Sequence, residues 1–148
     1  MKRVVYFSLF LLLFLFGISE SAQAYTFYLE EGKSVELYKV SPELYKQIIL
    51  KKEFLESKDL KIAQELKSLG VNYPELETVK VYIHFYHKPN ETEISKLKAL
   101  GVKINENSWI PHSFRSGGFY SAEMPVDAVL KVAKFNFVEM INPAEGPT

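Results

Sequence analysis

The run Val79-Lys80-Val81-Tyr82-Ile83-His84-Phe85-Tyr86-His87 constrains this chain most. Apolar, β-branched and aromatic residues alternate with polar ones at a period of two, the pattern of a strand buried on one face. With Val79, Val81, Ile83 and Phe85 turned inward, Lys80, Tyr82, His84 and Tyr86 must point outward. Pro89-Asn90 stops the strand. Asn90 with Glu93 three residues on reads as a capping box. The helix it opens, Glu91 to Leu100, carries Ile94, Leu97 and Leu100 on one stripe and ends at Gly101. Val102 to Asn105 starts a second strand, and Gly117-Gly118 introduces a third, Phe119 to Met124. Pro125 opens a second helix with Val126, Val129, Leu130 and Ala133 as its apolar face, and Phe137 to Ile141 is the fourth strand.

Strand, helix, strand, strand, helix, strand predicts an α+β fold: a ferredoxin-like βαββαβ antiparallel sheet with two helices on one face, preceded by a helical N-terminal extension. Two helices on one face leave the other without a helical cover. An outward row holding two tyrosines and a histidine is a surface of the kind enriched at protein interfaces. The alternative is that helices within residues 41–69 fold back over this face, because Leu44, Ile48, Leu60 and Leu66 also need burial.

The chain divides into a leader (1–24), an N-terminal extension of short strands then helices (25–78) and the βαββαβ domain with its tail (79–148). Lys2-Arg3, the apolar run Val4 to Ile18 and Ala22-Gln23-Ala24 together read as a signal peptide cleaved after Ala24. The apolar run is short for a membrane span, so the expected location is secreted, periplasmic or cell-envelope, with no membrane attachment after cleavage. There is no cysteine, which excludes a lipoprotein anchor, a disulfide framework and thiol catalysis. An exported chain without disulfides must rely on its core, as prokaryotic envelope proteins do. Losing Lys2, Arg3 and Glu20 with the leader moves the net charge from 0 to about −1. With no basic cluster, nucleic acid is not an expected partner. Lys51-Lys52 reads as the solvated side of a helix.

Tyr25 to Leu29 and Ser34 to Tyr38 read as two short strands about Glu30-Glu31-Gly32-Lys33. Ser41-Pro42 is an N-cap and N1 pair for a helix to about Glu56, using Leu44, Ile48, Phe54 and Leu55. A second helix, Ser57 to Leu69, carries Leu60, Ala63, Leu66 and Leu69 and stops at Gly70.

Catalytic patterns are absent. His84 and His87, three apart in a strand, point to opposite faces, and His112 lies in the long loop between the second and third strands. Glu123 is the nearest acidic candidate, yet no zinc-site spacing is present. There is no G-x-S-x-G nucleophile elbow. Arg115-Ser116-Gly117-Gly118 lacks the lysine and helix start of a P-loop, so the glycine pair reads as a turn or bulge. The first loop, His87-Lys88-Pro89-Asn90, has neither glycine nor arginine with which to cradle phosphate as an acylphosphatase would. Asn90-Glu91-Thr92 is a formal glycosylation sequon that helix capping already explains. No enzyme activity, cofactor or metal is expected.

Leu97-Lys98-Ala99-Leu100-Gly101-Val102-Lys103-Ile104, then Gly118-Phe119-Tyr120-Ser121-Ala122-Glu123-Met124-Pro125, then Val138-Glu139-Met140-Ile141-Asn142-Pro143, taken with the first strand, resemble the propeptide domain of subtilisin-like serine proteases, the inhibitor I9 family. The resemblance covers roughly residues 79–146, and Ser41-Pro42-Glu43-Leu44 resembles the lead-in helix of longer members. It implies a binding role, as intramolecular chaperone and inhibitor of a subtilisin-like protease, in trans because no protease domain follows Thr148. The implied protease-binding face is Tyr82, His84, Tyr86, Phe119, Ser121 and Glu123. The implied tail in the substrate cleft is Asn142, Pro143, Ala144, Glu145, Gly146, Pro147 and Thr148, adding to enzyme strands by β-augmentation. Glu106 is implied to cap an enzyme helix. The chain departs from the family at Asn142, where an acidic residue is usual, and at Glu145-Gly146, where the cleft takes an apolar side chain. Two other readings stay open: an envelope protein–protein interaction module with no protease target, and a histidine-based enzyme that would carry metal.

Overall fold

A computed structural model describes residues 37–71 and 76–144; the expected leader and the strand over 25–29 lie outside them. Among the described residues are four α-helices, α1 (Pro42–Ser57), α2 (Leu60–Ser68), α3 (Glu91–Ala99) and α4 (Val129–Ala133). The strands are β1 (Thr78–Phe85), β2 (Lys103–Ile104), β3 (Ile110–Pro111), β4 (Gly118–Pro125) and β5 (Val138–Pro143). The class is α+β.

The strands form one open antiparallel sheet in the order β2-β4-β1-β5, with β3 also paired to β4, compatible with a ferredoxin-like arrangement. β1 lies at the centre, Thr78 to Phe85 running antiparallel to Pro125 to Gly118. Its period of two is fully realised: Val79, Val81, Ile83 and Phe85 are buried, while Lys80 and Tyr82 are exposed and His84 is half-buried. Each such apolar side chain contributes about 1.5–3 kcal/mol of burial, which fixes the register, since a slip of one residue would turn all four into water.

Local chemistry sets the helix ends. Ser41 Oγ accepts from Leu44 N, with Pro42 in the first turn of α1. α1 stops where Lys58 turns left-handed at φ 55°. Asp59 then caps α2, so the second helix starts at Leu60, three residues later than the apolar pattern predicts. Asn90 and Glu93 form the expected reciprocal capping box on α3, with Asn90 Oδ1 accepting from Glu93 N at 2.9 Å and Glu93 Oε2 from Asn90 N at 3.0 Å. His87 Nε2 reaches both Glu93 oxygens at 3.0 Å. Asn90→Ala should cost about 1 kcal/mol, measurable as a lower urea midpoint with an unchanged slope.

The position of α1 decides between an open and a covered sheet. Its Leu44 and Ile48 belong to the same buried cluster as the inward row of β1, with Leu97 of α3 and Val129 and Val132 of α4. α1 therefore packs on the helical side. It is held there by a parallel bridge between Val40 and Ile141 and by Ser41 N donating to Ile141 O at 3.0 Å. α2 packs on α1 through a second cluster of Leu50, Phe54, Leu66 and Val71. No described helix crosses the other face, so the folding-back alternative is not what the chain does.

Several local expectations are corrected. Leu37–Lys39 is a 3-10 turn rather than the end of a strand over 34–38. Leu60 is 72 % exposed at the mouth of α2 and takes no part in its apolar stripe. Lys51 is not on a solvated side: it is 1 % exposed and its Nζ donates to Thr78 O at 2.6 Å. Leu44, Ile48 and Lys51 sit at the i, i+4, i+7 spacing of one helical face, so the stripe carries the lysine stem inward while its amine reaches the start of β1. Lys52 does face solvent and pairs with Asp127 at 2.8 Å. The second helix of the βαββαβ unit opens as a 3-10 turn, Val126–Ala128, before continuing as α4.

Candidate functional site

Antiparallel register makes directly opposed residues share a face, which arranges the open side of the sheet in three cross-strand rows. Ile110, Phe119, His84 and Met140 form the first. Ser121, Tyr82 and Asn142 form the second. Lys103, Glu123 and Lys80 form the third, beside which Ala144 N donates to Lys80 O at 2.9 Å. The face thus grades from apolar and aromatic at one end to charged at the other. Phe119 couples the first two rows, meeting Tyr82 edge-on with centroids 5.4 Å apart and His84 at 5.0 Å.

Of the residues expected on this face, Tyr82, His84, Phe119, Ser121 and Glu123 are there. Tyr86 is not on the sheet, because β1 ends at Phe85 and Tyr86 lies in the bend beyond it, 47 % exposed. Asn142 and Pro143, expected in the tail, are the last residues of β5, opposite Tyr82 and Val81. The chain leaves the sheet after Ala144; Glu145, Gly146, Pro147 and Thr148 lie outside the described residues. Glu106 is exposed in a 3-10 turn (Glu106–Ser108), where it pairs with Lys98 at 2.7 Å. The hydrogen bond and charge of Lys98 hold its carboxyl below the ordinary range.

A shallow groove of about 350 Å³ runs along the charged end, bordered by Lys80, Tyr82, Lys103, Ser121, Glu123 and Ala144. Lys103 Nζ stands 3.9 Å from Glu123. The groove therefore begins where the C-terminal segment departs. Its walls offer hydroxyl, carboxylate and ammonium groups to an extended chain.

At the aromatic end the sheet carries a feature the sequence pattern does not announce. β5 is out of step with β1 between His84 and Phe85: His84 faces Met140, yet Phe85 faces Val138. Glu139 is the extra residue of this bulge. Its carboxylate lies on the open face beside the loop between β3 and β4, where Arg115 Nη1 donates to Oε1 and His112 Nε2 stands 3.7 Å from Oε2. The His112 ring stacks on His84 with centroids 5.4 Å apart and planes 7° from parallel. Burial and the neighbouring His112 hold the His84 ring below its ordinary pKa of 6.5, with Arg115 adding to the effect and Glu139 opposing it. Of the two strand histidines, His84 is the one that His112 meets. His87 points away, to Glu93.

Chemically the arrangement sets aromatic, hydroxyl, carboxylate and ammonium groups side by side on one open sheet face. Among the described residues no group of three or more His, Asp or Glu side chains is placed to hold a metal ion, and no helix is long and apolar enough to cross a membrane. Comparison with known proteins adds no name: no family, curated protein or solved structure matches the chain.

Glu139, Arg115, Ile110 and Met140 are members of the face that sequence reasoning missed. The signal for Glu139 lies in the spacing of Val138 and Ile141, both buried yet three apart, which a regular strand cannot place on one side. Ile110 enters through β3, two residues long and too short for a periodic pattern.

Proposed function

We propose that this chain is an exported, non-catalytic binding domain that acts in trans on a subtilisin-like serine protease, as inhibitor or folding chaperone, through its open sheet face and the segment following β5. One observation supports it above the rest: all four described helices lie away from a face that presents Tyr82, Phe119, Ile110 and Met140 partly exposed. Rigid aromatic and aliphatic groups on a strand platform are what a protein partner anchors on. The strand order is also compatible with a ferredoxin-like βαββαβ unit, the topology that the resemblance to the I9 propeptides implies. The start of the C-terminal segment at the groove of Lys80 and Lys103 suits a tail that continues from the sheet into a partner's cleft as an added strand.

Titrating residues 25–148 into subtilisin-type proteases while following hydrolysis of a chromogenic peptide tests the reading. Slow-tight inhibition is expected. Deleting 145–148, which spares β5, should abolish it. Phe119→Ala should weaken it by about 2 kcal/mol, roughly thirtyfold in the inhibition constant, as for a central anchor. Digestion without inhibition across several such proteases would instead assign the face to another protein partner of the cell envelope.

A further inference from the structure

We propose that the loop between β3 and β4 is latched onto the sheet by the cluster of His84, His112, Arg115 and Glu139, and that acidification releases it. The inference concerns the state of the face and stands whichever partner occupies it.

The loop, residues 112–117, has little else to hold it. Ser113, Phe114, Arg115 and Ser116 are all exposed, Phe114 completely, so no apolar packing fixes the tip. His112 N donates to Gly117 O at 3.1 Å and closes the loop upon itself. Apart from the close backbone approach of Gly117 to Phe85 and Tyr86 at its base, its attachment to the sheet runs through Arg115, paired with Glu139 of β5, and His112, stacked on His84 of β1. The charged and titratable groups acting on the His84 ring are His112 and Arg115 from the loop and Glu139 from β5. With the His84 ring neutral, one carboxylate balances one guanidinium. A proton on His84 adds a second cation beside that carboxylate, on a ring stacked face to face with His112.

A second contact works in the same direction. Asn142 Nδ2 stands 3.4 Å from His84 Nε2, and an amide N–H donates there only while that nitrogen is unprotonated. The direction in pH follows by linkage. The latched arrangement lowers the His84 pKa, so it favours the neutral ring. The contribution of His84 is complete above 6.5 and is lost as pH falls through the lower, latched value. Release would free Phe119, whose ring lies 6.2 Å from that of His112, so the aromatic end of the face is more open to a partner in one pH range than in the other.

Hydrogen exchange of the whole chain, corrected for intrinsic rates, should show the His112 amide, which donates to Gly117 O, protected at about pH 7.5 and less protected at about pH 5, with β1 still protected. His84→Phe keeps an aromatic ring without the proton, so that amide should stay protected at both values. Glu139→Gln should lose protection at both. Equal protection of the wild-type His112 amide at the two values, or the same loss in His84→Phe as in wild type, overturns the proposal. A variant-free readout runs alongside by NMR. The Phe114 and Arg115 amide shifts should titrate with the midpoint of the His84 imidazole, below 6.5, and loop amides that ignore that midpoint also overturn it.

Discussion

Phe85→Ala is expected to destabilise the protein by about 3–5 kcal/mol, the cost of removing a buried aromatic ring and leaving a cavity. Phe85 is 0 % exposed, and its ring faces those of Trp109 at 6.5 Å, Tyr120 at 6.1 Å and Phe137 at 6.3 Å. Trp109 arrives from the loop before β3, Tyr120 from β4 and Phe137 from the turn into β5. One ring therefore joins three segments distant in sequence, and none can close in without moving a strand. Against a total of about 5–15 kcal/mol, the loss should lower the melting temperature by about 15 °C or more. Thermal unfolding followed by near-ultraviolet circular dichroism reads it, because Trp109 and Tyr120, 4.9 Å apart, belong to the same aromatic cluster. A shift of only one or two degrees would mean that the surrounding rings repack and that the core is less specific than its geometry implies.

Gly117→Ala is expected to be the most damaging exposed-loop substitution, at about 3 kcal/mol or more. Gly117 has φ +92°, a region that L side chains rarely adopt, and an added Cβ would lie 2.0 Å from the carbonyl oxygen of Phe85. That oxygen belongs to the central strand, which cannot retreat without losing its pairing to β4. The neighbouring Gly118 meets a similar limit, since a Cβ there would come within 2.4 Å of Ile110 O and 2.6 Å of Trp109 Cζ2. The pair thus does more than start a strand. It lets β3, β4 and the end of β1 approach backbone to backbone. Denaturant titration of Gly117→Ala beside Ser116→Ala, one residue away and exposed, separates the two cases; equal midpoints would refute the steric argument.

Much of the molecule was legible without coordinates. The inward row of β1, the capping box at Asn90 and Glu93 and the stop at Gly101 follow from period and cap chemistry, which act within a few residues. What failed was of another kind. Lys51 reads as a surface residue by type, yet its amine donates to Thr78 O across a separation in sequence that no local pattern reveals. Tyr86 continues the alternation of β1 on paper, yet pairing gives out at Phe85, and a period cannot say where a neighbour ends.

The open face shows the division most clearly. Sequence alone determined which side chains of β1 lie on it, because alternation is a property of one strand. Whether the helix after Ser41 covers it was left undecided, since Leu44 and Ile48 would be buried equally well on either side of the sheet. The bridge from Val40 to Ile141 settles that by delivering α1 to the helical side. The meeting of His84, His112, Arg115 and Glu139 was likewise beyond sequence reasoning, for it needs a bulge in β5 and a loop folded back across two strands. Local pattern fixes direction, and only long-range packing decides what each exposed group meets.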